Sequence, residues 1–558
     1  MSDHPAVSGL AVQPNQLAAG RRRAVRPASV LRADTCRALV PSWAAIPLAV
    51  VGGLVLDASF PSLGWWPLAF VAVALGLVAH VGRSLLGSFA VGAAFGAAFF
   101  YPHVSWAAAF LGDHPWSWVP WIALASAQTV MMAALSPLIT LAYRWLPRWR
   151  GSLVTRLVLL PALVAGVWMS RELMLGSWPY GGFPWGRLGM SQSESLIAPV
   201  ASWVGVTGLG FLMVALCATT VEATRYAWRS PSRWAAFAPG AVLMILLVIT
   251  PQFTTTPAGS IRVGAVQGNG PAAYADQHAP GAVLASQLVA SAPLESNQVD
   301  LVLWPEGGVD SDPNVDPQTA QTLSEAASRY DAPILMNAAS AQRDAVYNTS
   351  FLWTQDGPTA SHSKRNPVPF GEYVPHRSFY STIAPSLIEL LEREYTAGID
   401  SPVIPVADAS VGLAICFDVA FDEVIWEGAH DGAQVYMFQT NNADFRSTDE
   451  NLQQLAFARM RAIETGRSVI NLSTTGTSQV FAPDGTTLDS LPVDEPGLMI
   501  AEVELRDGIT AAVALAPSIK GSIVAGTLLA LALLAGSTLR SAGVGAGRSA
   551  PSLRRGRR

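Results

Sequence analysis

Ser410-Val411-Gly412-Leu413-Ala414-Ile415-Cys416-Phe417-Asp418-Val419-Ala420-Phe421-Asp422-Glu423 is the stretch on which the fold turns. The small and apolar residues after Ser410 predict a buried strand, and Asp422 with Glu423 predict the acidic first turn of a helix. Cys416 therefore falls at a strand-to-helix junction. Such an elbow holds a nucleophile out of the sheet and aims the N–H groups of the helix start at an oxyanion forming beside it. A lone cysteine in an apolar run otherwise reads as a small buried hydrophobe.

The surroundings are those of a membrane protein. Of 558 residues 51% are apolar and 13% are charged, whereas about 25% charged residues is usual for globular domains. The net charge of −5 is spread thinly and no basic stripe occurs, which argues against a nucleic-acid partner. Apolar runs at 40–57, 65–81, 86–106, 119–142, 156–172, 196–220, 234–251 and 519–539 predict eight membrane spans, seven ahead of a long polar middle and one after it. Arginines cluster in alternate connections: 21–26, Arg83, Arg144 to Arg156, Arg225 to Arg233, and the C-terminal tail. By the positive-inside rule both termini are then cytoplasmic and residues 252–518 face the other side. The expected organisation is a disordered cytoplasmic tail over 1–36, a seven-helix membrane domain over 37–255, an α/β domain over 256–512, an eighth span over 513–540 and a basic tail over 541–558. The N-terminal residues carry no signal-peptide pattern.

Of three cysteines, Cys36 lies at the cytoplasmic edge, Cys217 in a span, and Cys416 alone in the exported domain. A single thiol kept in an oxidising compartment favours a chemical task. Within the domain, strands are expected at Ile261–Gln267, Val299–Trp304, Pro333–Met336, Val346–Trp353, Gly412–Cys416, Gln434–Phe438, Ser468–Leu472, Gln479–Phe481 and Leu498–Val503, with a helix over Asn451–Thr465 closed by Gly466.

Two further stretches carry chemistry. Leu301-Val302-Leu303-Trp304-Pro305-Glu306 delivers a carboxylate at a sheet edge, where desolvation suits a general base; its plainer reading is a helix cap or a solvated turn. Ser363 to Pro375 is a Pro/Gly-stiffened loop carrying Lys364 and Glu372. The chain holds only two lysines, Lys364 and Lys520, against a large excess of arginine, which points to a compact ammonium being required in that loop. Glu, Lys and Cys, each on a loop after a strand, suit thiol acyl transfer. The carboxylate takes the thiol proton, the thiolate attacks a carbonyl, and the ammonium with backbone N–H groups stabilises the oxyanion.

This constellation resembles the carbon–nitrogen hydrolase (nitrilase) superfamily. A nitrilase-like domain between spans seven and eight is similar to the apolipoprotein N-acyltransferases. The likeness is carried by Gly182-Phe183-Pro184-Trp185, Val266-Gln267-Gly268-Asn269, Trp304-Pro305-Glu306, Val368-Pro369-Phe370-Gly371-Glu372-Tyr373-Val374-Pro375, Asn441-Asn442 and Ala458-Arg459-Met460-Arg461-Ala462-Ile463-Glu464. It implies a nitrilase-like α-β-β-α sandwich with Glu306 as general base, Lys364 as oxyanion stabiliser, Cys416 as nucleophile and Glu372 as a second essential carboxylate. Asp418 stands where the family usually has Glu, Asp444 where it has an aromatic, and Gln453-Gln454 where a His is common. Trp185, Asn441 and Asn442 become candidate substrate-side residues.

The resemblance further implies a bacterial inner-membrane enzyme of lipoprotein maturation, with a phospholipid as acyl donor and the α-amine of a diacylglyceryl-cysteine as acceptor, and without cofactor or metal. Nothing requires more than a monomer. Residues 178–185 lie on the domain's side of the membrane, either lining a lateral entrance or serving as an ordinary aromatic anchor. A membrane-tethered amidase with the same triad remains an alternative. A transporter reading is weakened by spans that lack paired charges in the sequence.

Overall fold

The computed structural model describes residues 37–228, 234–274, 276 and 278–547, with side chains to 540. Cys36, the arginines at 21–26, Arg229, Arg233 and the tail expected over 1–36 lie outside the described residues, as does the C-terminal tail beyond 547. Helices α1 (Ser42–Asp57), α2 (Leu68–His80), α3 (Leu85–His103), α4 (Trp118–Leu135), α5 (Pro137–Trp149), α6 (Leu160–Leu175), α7 (Ala201–Ala227) and α8 (Ala238–Ile249) precede the α/β domain.

Every expected span is helical, but among the described residues five segments are long and apolar enough to cross a membrane: Leu85–His103, Trp118–Trp149, Thr155–Leu175, Ala198–Ala227 and Ala511–Arg540. Ser42–Asp57, Leu68–His80 and Trp234–Ile249 are shorter apolar helices. The absence of paired charges expected of the spans is overturned. Glu222 of α7 is fully buried, accepting from Arg156 Nε at 2.8 Å and pairing with Arg225. The two arginines read as loop cations in the sequence, but helical structure extends past both and carries them onto the carboxylate.

The domain is a sandwich of two six-stranded sheets. One runs β12-β1-β2-β3-β4-β5, from β1 (Thr256–Gln267), β2 (Leu301–Leu303), β3 (Ile334–Gln342), β4 (Ala345–Thr354), β5 (Gly357–Ser363) and β12 (Gly497–Asp507). The other runs β11-β10-β9-β8-β7-β6, from β6 (Val403–Val406), β7 (Ala409–Ile415), β8 (Val435–Thr440), β9 (Val469–Ser473), β10 (Gln479–Phe481) and β11 (Thr487–Ser490). Each has a parallel core, β1-β2-β3 and β7-β8-β9, flanked by antiparallel strands.

Period-two alternation assigns the faces. Val411 and Leu413 of β7 and Val435 and Met437 of β8 join Val263, Leu301, Leu303 and Leu335 between the sheets, each buried side chain contributing about 1.5–3 kcal/mol. The alternate residues point outward. Val302, Trp304 and Ile334 pack with the layer that holds α9 (Ala282–Ala290) and α10 (Pro317–Tyr330), N-capped by Asp316. Ala414, Tyr436 and Phe438 pack on the layer of α13 (Asp422–His430) and α14 (Glu450–Thr465). The α-β-β-α order implied by the resemblance is thereby present. Short helices α11 (Arg377–Ile383) and α12 (Pro385–Ile388) sit in the loop after β5.

Expected strands missed β5, β6 and β11, and all three are sheet edges. Edge strands tolerate Pro358 and Pro405 and need no apolar face; β11 is exposed throughout. The last helix, α15 (Ala511–Gly547), begins directly after the domain and runs into the segment expected as a basic tail.

One apolar cluster runs without a break from Ala45 and Phe95 in the membrane helices through Trp185 to Phe417, Phe438 and Phe457 in the domain. The α13/α14 layer, not the α9/α10 layer, therefore rests on the membrane helices.

Candidate active site

β7 ends at Ile415, and Cys416 takes a left-handed conformation with φ of 49° at the start of a single 3-10 turn, Cys416–Ala420. That conformation costs a residue with a Cβ about 1–2 kcal/mol and turns the thiol out of the sheet, as a nucleophile elbow requires. The expected helix start lies further on: α13 begins at Asp422, so the backbone N–H groups beside the sulfur belong to the 3-10 turn.

The parallel strand β2 carries Glu306 out at its carboxyl end, and β5 delivers Lys364 directly after Ser363. Lys364 Nζ lies 3.1 Å from Glu306 Oε1 and 2.9 Å from Glu372 Oε1 and is 1% exposed. Glu372 is held by its second oxygen, which accepts from the Val368 N–H at 2.7 Å across the tight turn of its own loop. Burial pushes the Glu306 carboxyl above the usual range; the Lys364 ammonium pulls against it and the Glu372 charge adds to it. Lys364 is held well above its ordinary value, burial being outweighed by Glu306 and Glu372. Burial likewise pushes the Cys416 thiol up, and the Glu306 carboxylate adds to this while Lys364 opposes it. The sulfur therefore shares one electrostatic environment with both residues expected to act on it, and it ionises only if a base takes its proton.

Asp418 joins the two sides of the site. Its carboxylate accepts from the backbone N–H of Arg365 at 3.1 Å and of Asn366 at 2.8 Å, and from the Asn366 side chain at 2.8 Å. It also accepts from the Ile415 N–H at 3.4 Å. The shorter acid at this position thus clamps the lysine loop to the cysteine elbow.

Trp185, Asn441 and Asn442 are committed elsewhere. Trp185 is buried, donates to Gln453 Oε1 at 2.6 Å and packs on Trp106 and Phe457. Gln453 also takes the Trp106 indole N–H and donates to the His103 carbonyl, which ties α14 to the end of α3. Asn441 donates to the Ala272 carbonyl, Asn442 donates to Glu450 and Gln454, and Asp444 accepts from the Tyr274 N–H. In the aromatic loop Trp178 is exposed, while Tyr180 and Gly181 border a groove. Tyr180 and Gly181 line this groove of about 370 Å³ with Arg365, Asn366, Tyr373 and Phe417, which follow Lys364, Glu372 and Cys416 in sequence.

Sequence reasoning missed Asn348 and Asn337. Asn348 Nδ2 donates to Glu306 at 2.8 Å, and Asn337 donates to Asn348 Oδ1 while accepting from the Gly307 N–H, both at 2.8 Å. The available signal was a polar interruption, Asn348-Thr349-Ser350, inside an otherwise apolar strand.

Below the elbow, Asp422 gathers Arg187 at 2.6 Å, Arg461 at 2.7 Å and Lys520 at 2.8 Å, joining the loop after α6, α14 and α15. Arg461 also donates to the Val419 and Ala420 carbonyls of the cysteine turn. Burial would raise the Asp422 carboxyl, but Arg187, Lys520 and Arg461 hold it well below the usual range. Its contribution to stability is thus present above the ordinary carboxylate range and lost as pH falls through the depressed value. Asp422→Ala takes the carboxylate from buried Arg187 and leaves Arg461 and Lys520 only Glu464 and Glu423, and is expected to destabilise the full-length protein by about 3–5 kcal/mol. A thermal melt in detergent within a degree of the parent would contradict the clamp.

Residues 52–219 match the family described as apolipoprotein N-acyltransferase N-terminal domain, and residues 262–512 match the carbon-nitrogen hydrolase family. The chain is 29% identical over 519 residues to the apolipoprotein N-acyltransferase of Mycolicibacterium smegmatis, covering 86% of this chain and 83% of that one. It is 26% identical to that of Shewanella oneidensis, covering 83% and 90%, and 27% identical to that of Azotobacter vinelandii, covering 84% and 91%. Membrane half, catalytic half and full-length relatives agree, and the chain belongs to the apolipoprotein N-acyltransferase family of the carbon–nitrogen hydrolase superfamily.

Proposed function

We propose that the protein transfers an acyl chain from a membrane phospholipid, through a thioester on Cys416, to the α-amine of the S-diacylglyceryl-cysteine that begins a lipoprotein. The observation that carries the reading is the buried Glu306–Lys364–Glu372 cluster sharing an electrostatic environment with a thiol whose own turn packs on the aromatic loop after α6, Phe417 stacking on Phe183 at 5.6 Å.

Glu306 takes the Cys416 proton as the sulfur attacks the ester carbonyl, and Lys364 stabilises the oxyanion. Collapse breaks the ester C–O bond, and Glu306 returns the proton to the departing lysophospholipid oxygen. The neutral amine then attacks the thioester, loses a proton to Glu306 as the C–N bond forms, and the C–S bond breaks. The proton returns to sulfur. Amide formation from a thioester is downhill, so the cycle closes without an energy source.

Both substrates are lipids, and each buried CH₂ retains them in the bilayer by about 0.8 kcal/mol. That is the reason for mounting the site on membrane helices. The groove beside Tyr180 and Phe417 is the proposed acyl or headgroup entrance. In this reading all eight apolar segments span, α4 and α5 together forming one of them, both ends are cytoplasmic and the domain faces away from the cytoplasm.

The test uses full-length protein in vesicles whose phospholipid carries a labelled acyl chain, with an S-diacylglyceryl-cysteinyl peptide as acceptor. N-acylated peptide and lysophospholipid are expected; labelled free fatty acid without acylated peptide would make the protein a hydrolase. A second expectation concerns pH. Glu306 must be ionised to act as base, so kcat/KM rises with pH along an acid limb above the ordinary glutamate value of about 4.3. Glu372→Gln removes the negative neighbour that raises Glu306 and leaves Lys364 to it alone. The limb moves to lower pH; a limb that stays put or rises contradicts the shared-ammonium geometry.

A further inference from the structure

Cys416 has a polar neighbour that the Glu–Lys–Cys scheme does not use. Gln454 Nε2 lies 3.6 Å from Cys416 Sγ, and the glutamine is 1% exposed. Which end of an amide faces the sulfur decides everything here, because an oxygen would repel a thiolate and an N–H would bind it.

The surrounding bonds decide it. Gln454 Oε1 accepts from Asn442 Nδ2 at 2.8 Å, and the same nitrogen donates to Glu450 Oε2 at 2.6 Å. Asn442 Oδ1 accepts from the Ser473 hydroxyl at 2.6 Å. Flipping Asn442 would set its oxygen against two acceptors, and flipping Gln454 would set one N–H group against another. Glu450 and Gln454 stand four residues apart on α14, on one face of the helix, and Asn442 bridges them. Glu450 and Asn442 are 3% and 2% exposed, so no solvent competes for these bonds.

We propose that Gln454 is a further catalytic residue, donating its side-chain N–H to Cys416 Sγ whenever the sulfur becomes anionic, with Asn442 and Glu450 locking the amide in the donating orientation. Negative charge develops on the sulfur twice in the cycle, as it gives up its proton to attack the ester and as the thioester breaks. Lys364 is shared between two carboxylates, so a second, neutral donor beside the sulfur supplies what the ammonium cannot. Burial pushes the Glu450 carboxyl up to about 8, the Asn442 bond lowering it and the charge of Glu306 raising it. Near pH 7 Glu450 thus completes the relay while adding little negative charge near the thiolate.

The inference rests on Cys416 being the nucleophile, and the experiment separates the two. Detergent-solubilised full-length protein is titrated with iodoacetamide across pH, and alkylation is quantified on the peptide containing Cys416, which excludes the other cysteines. Gln454→Met preserves length and volume without the donor; Gln454→Glu places an acceptor there. Losing one hydrogen bond to a charged sulfur reduces the thiolate population about ten- to hundredfold, so the alkylation midpoint of Gln454→Met moves up by about one to two pH units. Gln454→Glu moves at least as far, and Glu450→Gln, which keeps a neutral acceptor for Asn442, moves little. Melting temperatures establish that each variant is folded. A Gln454→Met profile that superimposes on the parent overturns the proposal even if Cys416 acylates normally. Shifted midpoints together with a parent that forms no acyl adduct would keep the donor and remove the nucleophile.

Discussion

Cys416→Ser is expected to lower transfer by at least about 10⁴-fold while the protein stays folded and membrane-inserted. Sulfur and oxygen differ by one atom in the same rotamer, so the elbow at φ 49° and the packing of Phe417 are undisturbed. What changes is acidity and nucleophilicity. A hydroxyl gives its proton to a carboxylate such as Glu306 far less readily than a thiol does, and the oxygen ester it would form is a poor acyl donor to an amine. The loss therefore falls on kcat with the donor's KM nearly unchanged, measured as N-acylated peptide formed per enzyme in phospholipid vesicles. Retention of a tenth of the parent rate would show that another residue carries the acyl group.

Lys364→Arg should fail almost as badly, by about 10²- to 10³-fold in kcat, the range for loss of one oxyanion donor. Conservation of charge does not help. The ammonium sits fully buried with carboxylate oxygens at 3.1 and 2.9 Å, in a space shaped for a single point donor. A guanidinium is larger, planar and directional; it would pair with Glu306 or Glu372 bidentately and hold the base away from the thiol. The variant should bind phospholipid with near-parent KM and, if Glu306 is captured, show a lower acid limb in its pH profile. Turnover within a few fold of the parent would remove Lys364 from the oxyanion.

Which parts of this could be read from the chain follows from how local each signal is. Cys416, Glu306 and Lys364 each close a strand, and strand alternation with an abrupt Pro, Gly or acidic boundary is written within a few residues. The central strands β7 to β9 and β1 to β3 were legible for the same reason, as was the edge strand β12, whose Met499, Ala501 and Val503 alternate into the core; the edges β5, β6 and β11 were not, because nothing on them must be apolar. The supports of the site were invisible because they are long-range. Arg187 meets Asp422 across 235 positions, and Trp185 meets Gln453 across 268. Nothing near Trp185 distinguishes an indole that lines a substrate path from one spent on a buried glutamine. Asn442 became a substrate-side candidate through the family resemblance alone; in the structure its amide donates to Glu450 and Gln454 of α14. Glu222 was hidden by the opposite error, since arginines near span ends were read as loop residues when the helices continue through them.

The central claim is that a fatty acyl group rests on Cys416 between donor and acceptor. The direct measurement is incubation of the full-length protein with acyl-labelled phospholipid in the absence of acceptor, followed by isolation of the peptide that contains Cys416. A stoichiometric label on that peptide, released by hydroxylamine and discharged by a diacylglyceryl-cysteinyl amine, is the predicted result. An unlabelled Cys416 peptide from protein that still transfers acyl chains would contradict it.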